Sequence, residues 1–262
     1  MAQRRSHSSN ISVALFRAIA HHFNQSARAL PAAAWGIWGK TLLAGLGVSA
    51  LITYGIVRLA MFWQSRGLQA WDERVLPGVA DALPFSFAKA ITLESPGNMI
   101  YLIPLVLALV GLAAWRSRPL IASSIAVSYL LQYALVWIGW GLWNRDRPDV
   151  IASGLAAPGL HAFPSGHATV ITAVFGFLAY LWIRASRSRV ERVGAIALFL
   201  GWTFITSSAR LVLGAHWVSD VVAGWIVGFL WLLVVIVAFE RAQAVCRSGK
   251  GRHSATPRAG VR

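Results

Sequence analysis

The chain reads as all-α: a polytopic membrane bundle of six transmembrane helices. Three observations carry that reading. Of 262 residues, 57% are hydrophobic and only 13% charged, where a soluble domain carries about 25% charged residues. The apolar residues come in six blocks, each long enough for a helix to cross a hydrocarbon core that takes about 20 residues. Charge is also sorted between the ends of those blocks: 17 of the 24 Lys and Arg fall on one side, and seven of the nine acids on the other.

Taken in order, residues 1–40 form a basic segment that includes a short apolar patch, ISVALFRAIA at 11–20, broken by Arg17. Such a patch suits an amphipathic segment lying in the interface, and no cleavable leader is apparent. The membrane domain is expected to span 41–240, with crossings at about 41–63, 98–116, 119–143, 166–184, 193–214 and 218–239. Between the first two, residues 64–97 place apolar residues at helical spacing between Pro77, Pro84 and Pro96, which predicts short helices on the membrane surface. Residues 144–165 are rich in Gly and Pro and predict a loop. The tail, 241–262, is basic and is expected to be disordered. Thirteen tryptophans are expected mostly in belts at the two interfaces.

The net charge of +15 invites a nucleic-acid partner. Its distribution argues for membrane topology instead, because basic loops are retained in the cytoplasm. Both termini are therefore expected in the cytoplasm, and the partners are expected to be the bilayer and a lipid. The single cysteine, Cys246, excludes an internal disulfide.

Three polar clusters interrupt this pattern, and the topology puts all of them at the non-cytoplasmic face. They are Asn144-Arg145-Asp146-Arg147-Pro148, then Pro164-Ser165-Gly166-His167, then Arg210 with His216 and Asp220. Arg210 lies among apolar residues near the end of a span, and a charge near the bilayer centre costs roughly 2.5–3.5 kcal/mol. It needs a partner, and a bound anion would supply one. Guanidinium groups match phosphate oxygens bidentately. Ser165 is a good N-cap and Gly166 admits a ligand to the backbone, at a helix N-terminus that favours anions. His216 and Asp220 are four apart and share a helix face. Of the seven histidines, His161, His167 and His216 are the three that accompany the arginines.

The ordered set Arg147-Pro148, PSGH at 164–167 and RLVLGAHWVSD from Arg210 to Asp220 resembles the type 2 phosphatidic acid phosphatase family, within a superfamily that includes vanadium haloperoxidases and bacterial acid phosphatases. The resemblance covers roughly residues 60–240. It implies a lipid phosphatase of the bacterial inner membrane, with its site on the periplasmic face. It implies His216 as the nucleophile that becomes a phosphohistidine, Asp220 as its orienting carboxylate and His167 as the acid for the leaving oxygen. Arg147, Arg210, Ser165 and the Gly166 backbone would hold the phosphoryl oxygens. No metal or cofactor is implied. The family's first motif usually carries a Lys where this chain has Trp140, and Arg145 is expected to replace that charge. The third motif usually has Ser where Ala209 stands.

Undecaprenyl pyrophosphate is the first expected substrate, followed by phosphatidic acid and phosphatidylglycerol phosphate. The alternatives are a lipid A phosphatase or phosphotransferase, a lipid-phosphate-binding or transport protein without activity, and a vanadium-dependent haloperoxidase.

Overall fold

The computed structural model describes residues 2–151, 154 and 162–254, with side chains described for 13–151, 154 and 162–248. His161 lies outside the described residues. Among the described residues, ten α-helices make up the bundle: α1 (Ala2–Arg28), α2 (Ala32–Trp63), α3 (Gln69–Ala82), α4 (Phe87–Glu94), α5 (Met99–Trp115), α6 (Pro119–Leu130), α7 (Gln132–Leu142), α8 (Gly166–Ala185), α9 (Arg189–Val212) and α10 (Val218–Ser254).

Six crossings result, because α6 and α7 form one span broken at Leu131. The first crossing starts at Ala32, nine residues earlier than the hydropathy pattern suggests. The last helix continues to Ser254, so residues 241–254 are helical where composition predicts disorder. Starts follow local chemistry. Pro119 opens α6 at a position whose N–H has no helical partner anyway. Ser86, Ser165 and Ser188 each cap the helix that follows, accepting a bond from a backbone N–H of its first turn.

Helices α8 and α10 form the centre, packed against each other and against α2, α6 and α9. Phe177, Trp231, Phe239, Ile171, Leu135 and Leu102 fill the core between them. The outward surface is apolar too: Ile100 is 75% exposed, Leu51 74% and Leu43 71%. Such a face is stable only in hydrocarbon, and with the six long apolar helices it makes this an integral membrane protein.

The short helices α3 and α4 lie at the end of the bundle that holds residues 143–151, residues 162–165 and the turn 213–217. After α2 the chain passes through one π-helical turn, Gln64–Leu68, kinked at Gly67. It then runs through α3 and α4, which pack against α9. The tryptophans at this end are less of a belt than expected. Trp217 and Trp143 are buried, at 3% and 7% exposure, and Trp217 Nε1 donates to the Asp146 carbonyl at 2.8 Å.

Close contact between α8 and α10 depends on Gly224, where a Cβ would stand 2.6 Å from the Ser165 carbonyl oxygen. Nothing at Gly47 lies within 4 Å of such an atom. Gly224→Ala is therefore expected to lower stability by about 1–3 kcal/mol through overpacking, and Gly47→Ala to cause no loss. Melting of both variants in detergent checks the contrast.

Candidate active site

Two short backbone devices build the site. The first is the turn Pro164-Ser165, held to α10 by a bond from Ser165 N–H to the Asp220 carbonyl at 3.0 Å. It delivers Gly166 and His167 to the first turn of α8. The second ends α9. Gly214 adopts φ +60, so its N–H reaches the Leu211 carbonyl at 2.9 Å and the Ala215 N–H reaches the Arg210 carbonyl at 3.0 Å. That pair of bonds is the Schellman reversal, which needs a left-handed residue and so favours glycine. It folds His216 back beside Arg210.

A cavity of 240 Å³ opens where these devices meet. Arg147, Gly166, His167, Arg210 and His216 line it, together with Asn98, Trp140 and Tyr133. Five of the eight residues singled out from sequence thus converge on one space. Two arginines, two imidazoles and a helix N-terminus in so small a volume can hold a tetrahedral anion and present it with a nucleophile and an acid.

The remaining three sit elsewhere. Ser165 is fully buried, and its Oγ accepts from Ala168 N at 3.4 Å as the helix cap. Asp220 is buried behind His216, with 3.6 Å between Oδ2 and Nδ1, too long for a hydrogen bond. Its oxygens are committed to Arg145 Nη1 at 2.5 Å and Trp217 N at 2.8 Å. Arg145, expected among the phosphate ligands, faces away from the cavity lining. Its Nη1 also donates to Ser219 Oγ at 2.7 Å, and its Nη2 to Asp72 at 2.7 Å and Gln69 at 3.0 Å. Arg145 therefore does not supply the cavity charge that the Trp140 position lacks. Trp140 instead braces the turn: its Nε1 donates to the Pro164 carbonyl at 3.2 Å, and the ring packs on Gly166.

Sequence reasoning missed four participants. Glu94, at the end of α4, accepts from Arg210 Nη1 at 2.7 Å and lies 3.1 Å from His167 Nε2. An internal carboxylate, and not only a bound anion, therefore answers the buried arginine. Asn98 bridges the pair, donating to Glu94 Oε1 at 3.1 Å and facing His167 Nε2 through Oδ1 at 2.9 Å. With oxygen acceptors on both sides, the network assigns a proton to Nε2. Asp72 and Gln69 hold Arg145. The separation of 116 residues between Glu94 and Arg210 leaves no local signal. The one available hint is that seven of nine acids share the site's side.

Electrostatics separates the roles. Burial, then the neighbouring Arg210 and Arg147, hold the His216 imidazole well below its ordinary pKa. His216 therefore stays neutral, with a lone pair, at pH 7. Burial and then the charge of Arg210 also lower Arg147, as expected for like charges crowded around a space that suits an anion.

Fold and cavity define a class: an integral-membrane helical bundle with a basic, two-histidine pocket at one end. Residues 121–244 match the family model described as PAP2 superfamily. The lipid A 1-phosphatase of Rhizobium johnstonii is 39% identical over 80 residues, 30% of this chain and 29% of that protein. Escherichia coli YbjG, provisionally named an undecaprenyl-diphosphatase, is 27% identical over 164 residues, 61% of this chain and 77% of its own length. The transmembrane PAP2-type phosphatidylglycerolphosphate phosphatase of Bacillus subtilis superposes with a TM-score of 0.55 at 22% identity, covering 81% of this chain and 98% of that one. The match spans only about a third of the lipid A 1-phosphatases. The family-model match covers just under half of the chain.

Arg145→Met removes the guanidinium that stands between two buried carboxylates, Asp72 and Asp220. Stranding them is expected to cost about 3–5 kcal/mol, read as a lower melting temperature in detergent. An unchanged melt would show that the network contributes little.

Proposed function

We propose that this protein is a membrane lipid phosphatase that cleaves a phosphate monoester or diphosphate through a phosphohistidine on His216. The observation that carries the reading is the convergence of Arg147, Arg210, Gly166, His167 and His216 on one cavity. The relatives' names supply candidate substrates: lipid A, undecaprenyl diphosphate and phosphatidylglycerol phosphate.

The phosphoryl oxygens sit between Arg147, Arg210 and the first N–H groups of α8. Nε2 of neutral His216 attacks phosphorus, forming an N–P bond as the P–O bond to the lipid breaks. The leaving oxygen takes the Nε2 proton of His167. Water then attacks the phosphohistidine, giving its proton to His167, and the P–N bond breaks to release inorganic phosphate. Asp220 favours the charge that develops on His216, acting across 3.6 Å in a buried setting. No step uses a metal.

In this reading the arginine-rich ends of the spans face the cytoplasm and the cavity faces the periplasm of a bacterial inner membrane. The substrate enters laterally from the bilayer.

His216→Ala is expected to abolish phosphate release from a lipid phosphate by the detergent-purified protein, while the wild type keeps its rate in EDTA. Surviving activity in the variant, or a strict metal requirement in the wild type, would defeat the mechanism. A folded wild type inert on all three relatives' substrates would favour a binding protein.

A further inference from the structure

The carboxylate of Glu94 has no place in the steps above, yet it stands inside the machinery. It is 6% exposed, 2.7 Å from Arg210 Nη1 and 3.1 Å from His167 Nε2. The adjoining turn leaves it little room to leave: a Cβ at Gly97 would lie 2.5 Å from the His167 ring, and Asn98 ties Oε1 at 3.1 Å. We infer that Glu94 determines specificity, favouring lipid phosphomonoesters over lipid diphosphates; this rests on the phosphatase reading of the same cavity.

The leaving group is what Glu94 meets. His167 Nε2 carries the proton that the leaving oxygen takes, so that oxygen must approach Nε2, and Glu94 lies beside that nitrogen. His216, the attacking group, lies across the phosphorus. In a monoester the atom beyond the leaving oxygen is an uncharged carbon, and Met99 and Val170 offer it apolar lining. In a diphosphate that atom is a second phosphorus with anionic oxygens, set against a buried carboxylate. Glu94 also engages Arg210, the cation such a second phosphate would otherwise recruit. Removing one negative charge helps the more highly charged substrate more, and in a partly buried site the difference is about tenfold or greater. This order reverses the expectation from sequence, in which undecaprenyl pyrophosphate stands first.

The test uses the full-length protein in detergent with farnesyl phosphate and farnesyl diphosphate, which share one tail. Initial rates of phosphate release give kcat/KM for each, in EDTA. Wild type is expected to prefer the monophosphate. Glu94→Gln is expected to move the ratio toward the diphosphate by about tenfold or more, and Glu94→Ala to move it the same way. The ratio is independent of the fraction of active protein, so partial misfolding does not imitate the shift. A wild-type preference for the diphosphate, or a ratio unchanged in both variants, overturns the inference while leaving the phosphatase reading intact. No release from either substrate by any form of the protein overturns that reading, and the inference with it.

Discussion

Arg145 is the charge on which the polar end of the bundle depends. Its guanidinium is almost fully buried and is shared by Asp72 from α3 and Asp220 from α10. Two carboxylates in such a place are tolerable only with a cation between them. Asp72 in turn accepts from the backbone N–H of Ser219 at 2.9 Å and from its hydroxyl at 2.5 Å. A surface helix, the loop after α7 and the first turn of α10 are thereby locked together. Asp220 is held behind His216, and its carbonyl receives the Ser165 N–H. One arginine thus links the three chain segments that meet behind the cavity.

Around that fixed frame, two histidines occupy different electrostatic settings. His216 has arginines for neighbours and burial on every side, which keeps its imidazole neutral. His167 has oxygen acceptors at Nε2, which hold a proton there. A neutral nitrogen and a proton-bearing one, facing each other across a basic space, are what a two-step phosphoryl transfer needs. The bilayer adds a constraint of its own: the outer face of the bundle is apolar, and under the proposed function a lipid headgroup would enter the cavity while its tail stays in hydrocarbon.

Much of this is legible in the sequence because it is local. Apolar runs of membrane length mark the spans, and Ser165 announces the start of α8. The break at Leu131 is hidden because the apolar run continues through it. Sequence misplaces Arg145 because its neighbour Arg147 does line the cavity. Spacing two apart cannot tell which guanidinium faces the space and which faces Asp72, 73 residues away. Glu94 escapes notice for the same reason, as it meets Arg210 only through tertiary packing. Trp140 looks in the sequence like a missing lysine, and its bond to the Pro164 carbonyl shows what the indole does instead.

Covalent transfer to His216 is the step on which the proposed chemistry stands. Rapid acid-free quenching of the protein turning over a lipid substrate labelled at the terminal phosphate, followed by peptide mapping, tests it directly. The predicted result is a base-stable, acid-labile phosphate on the peptide carrying His216, lost when His216 is replaced. A label confined to another residue, or steady turnover with no label at all, would contradict it.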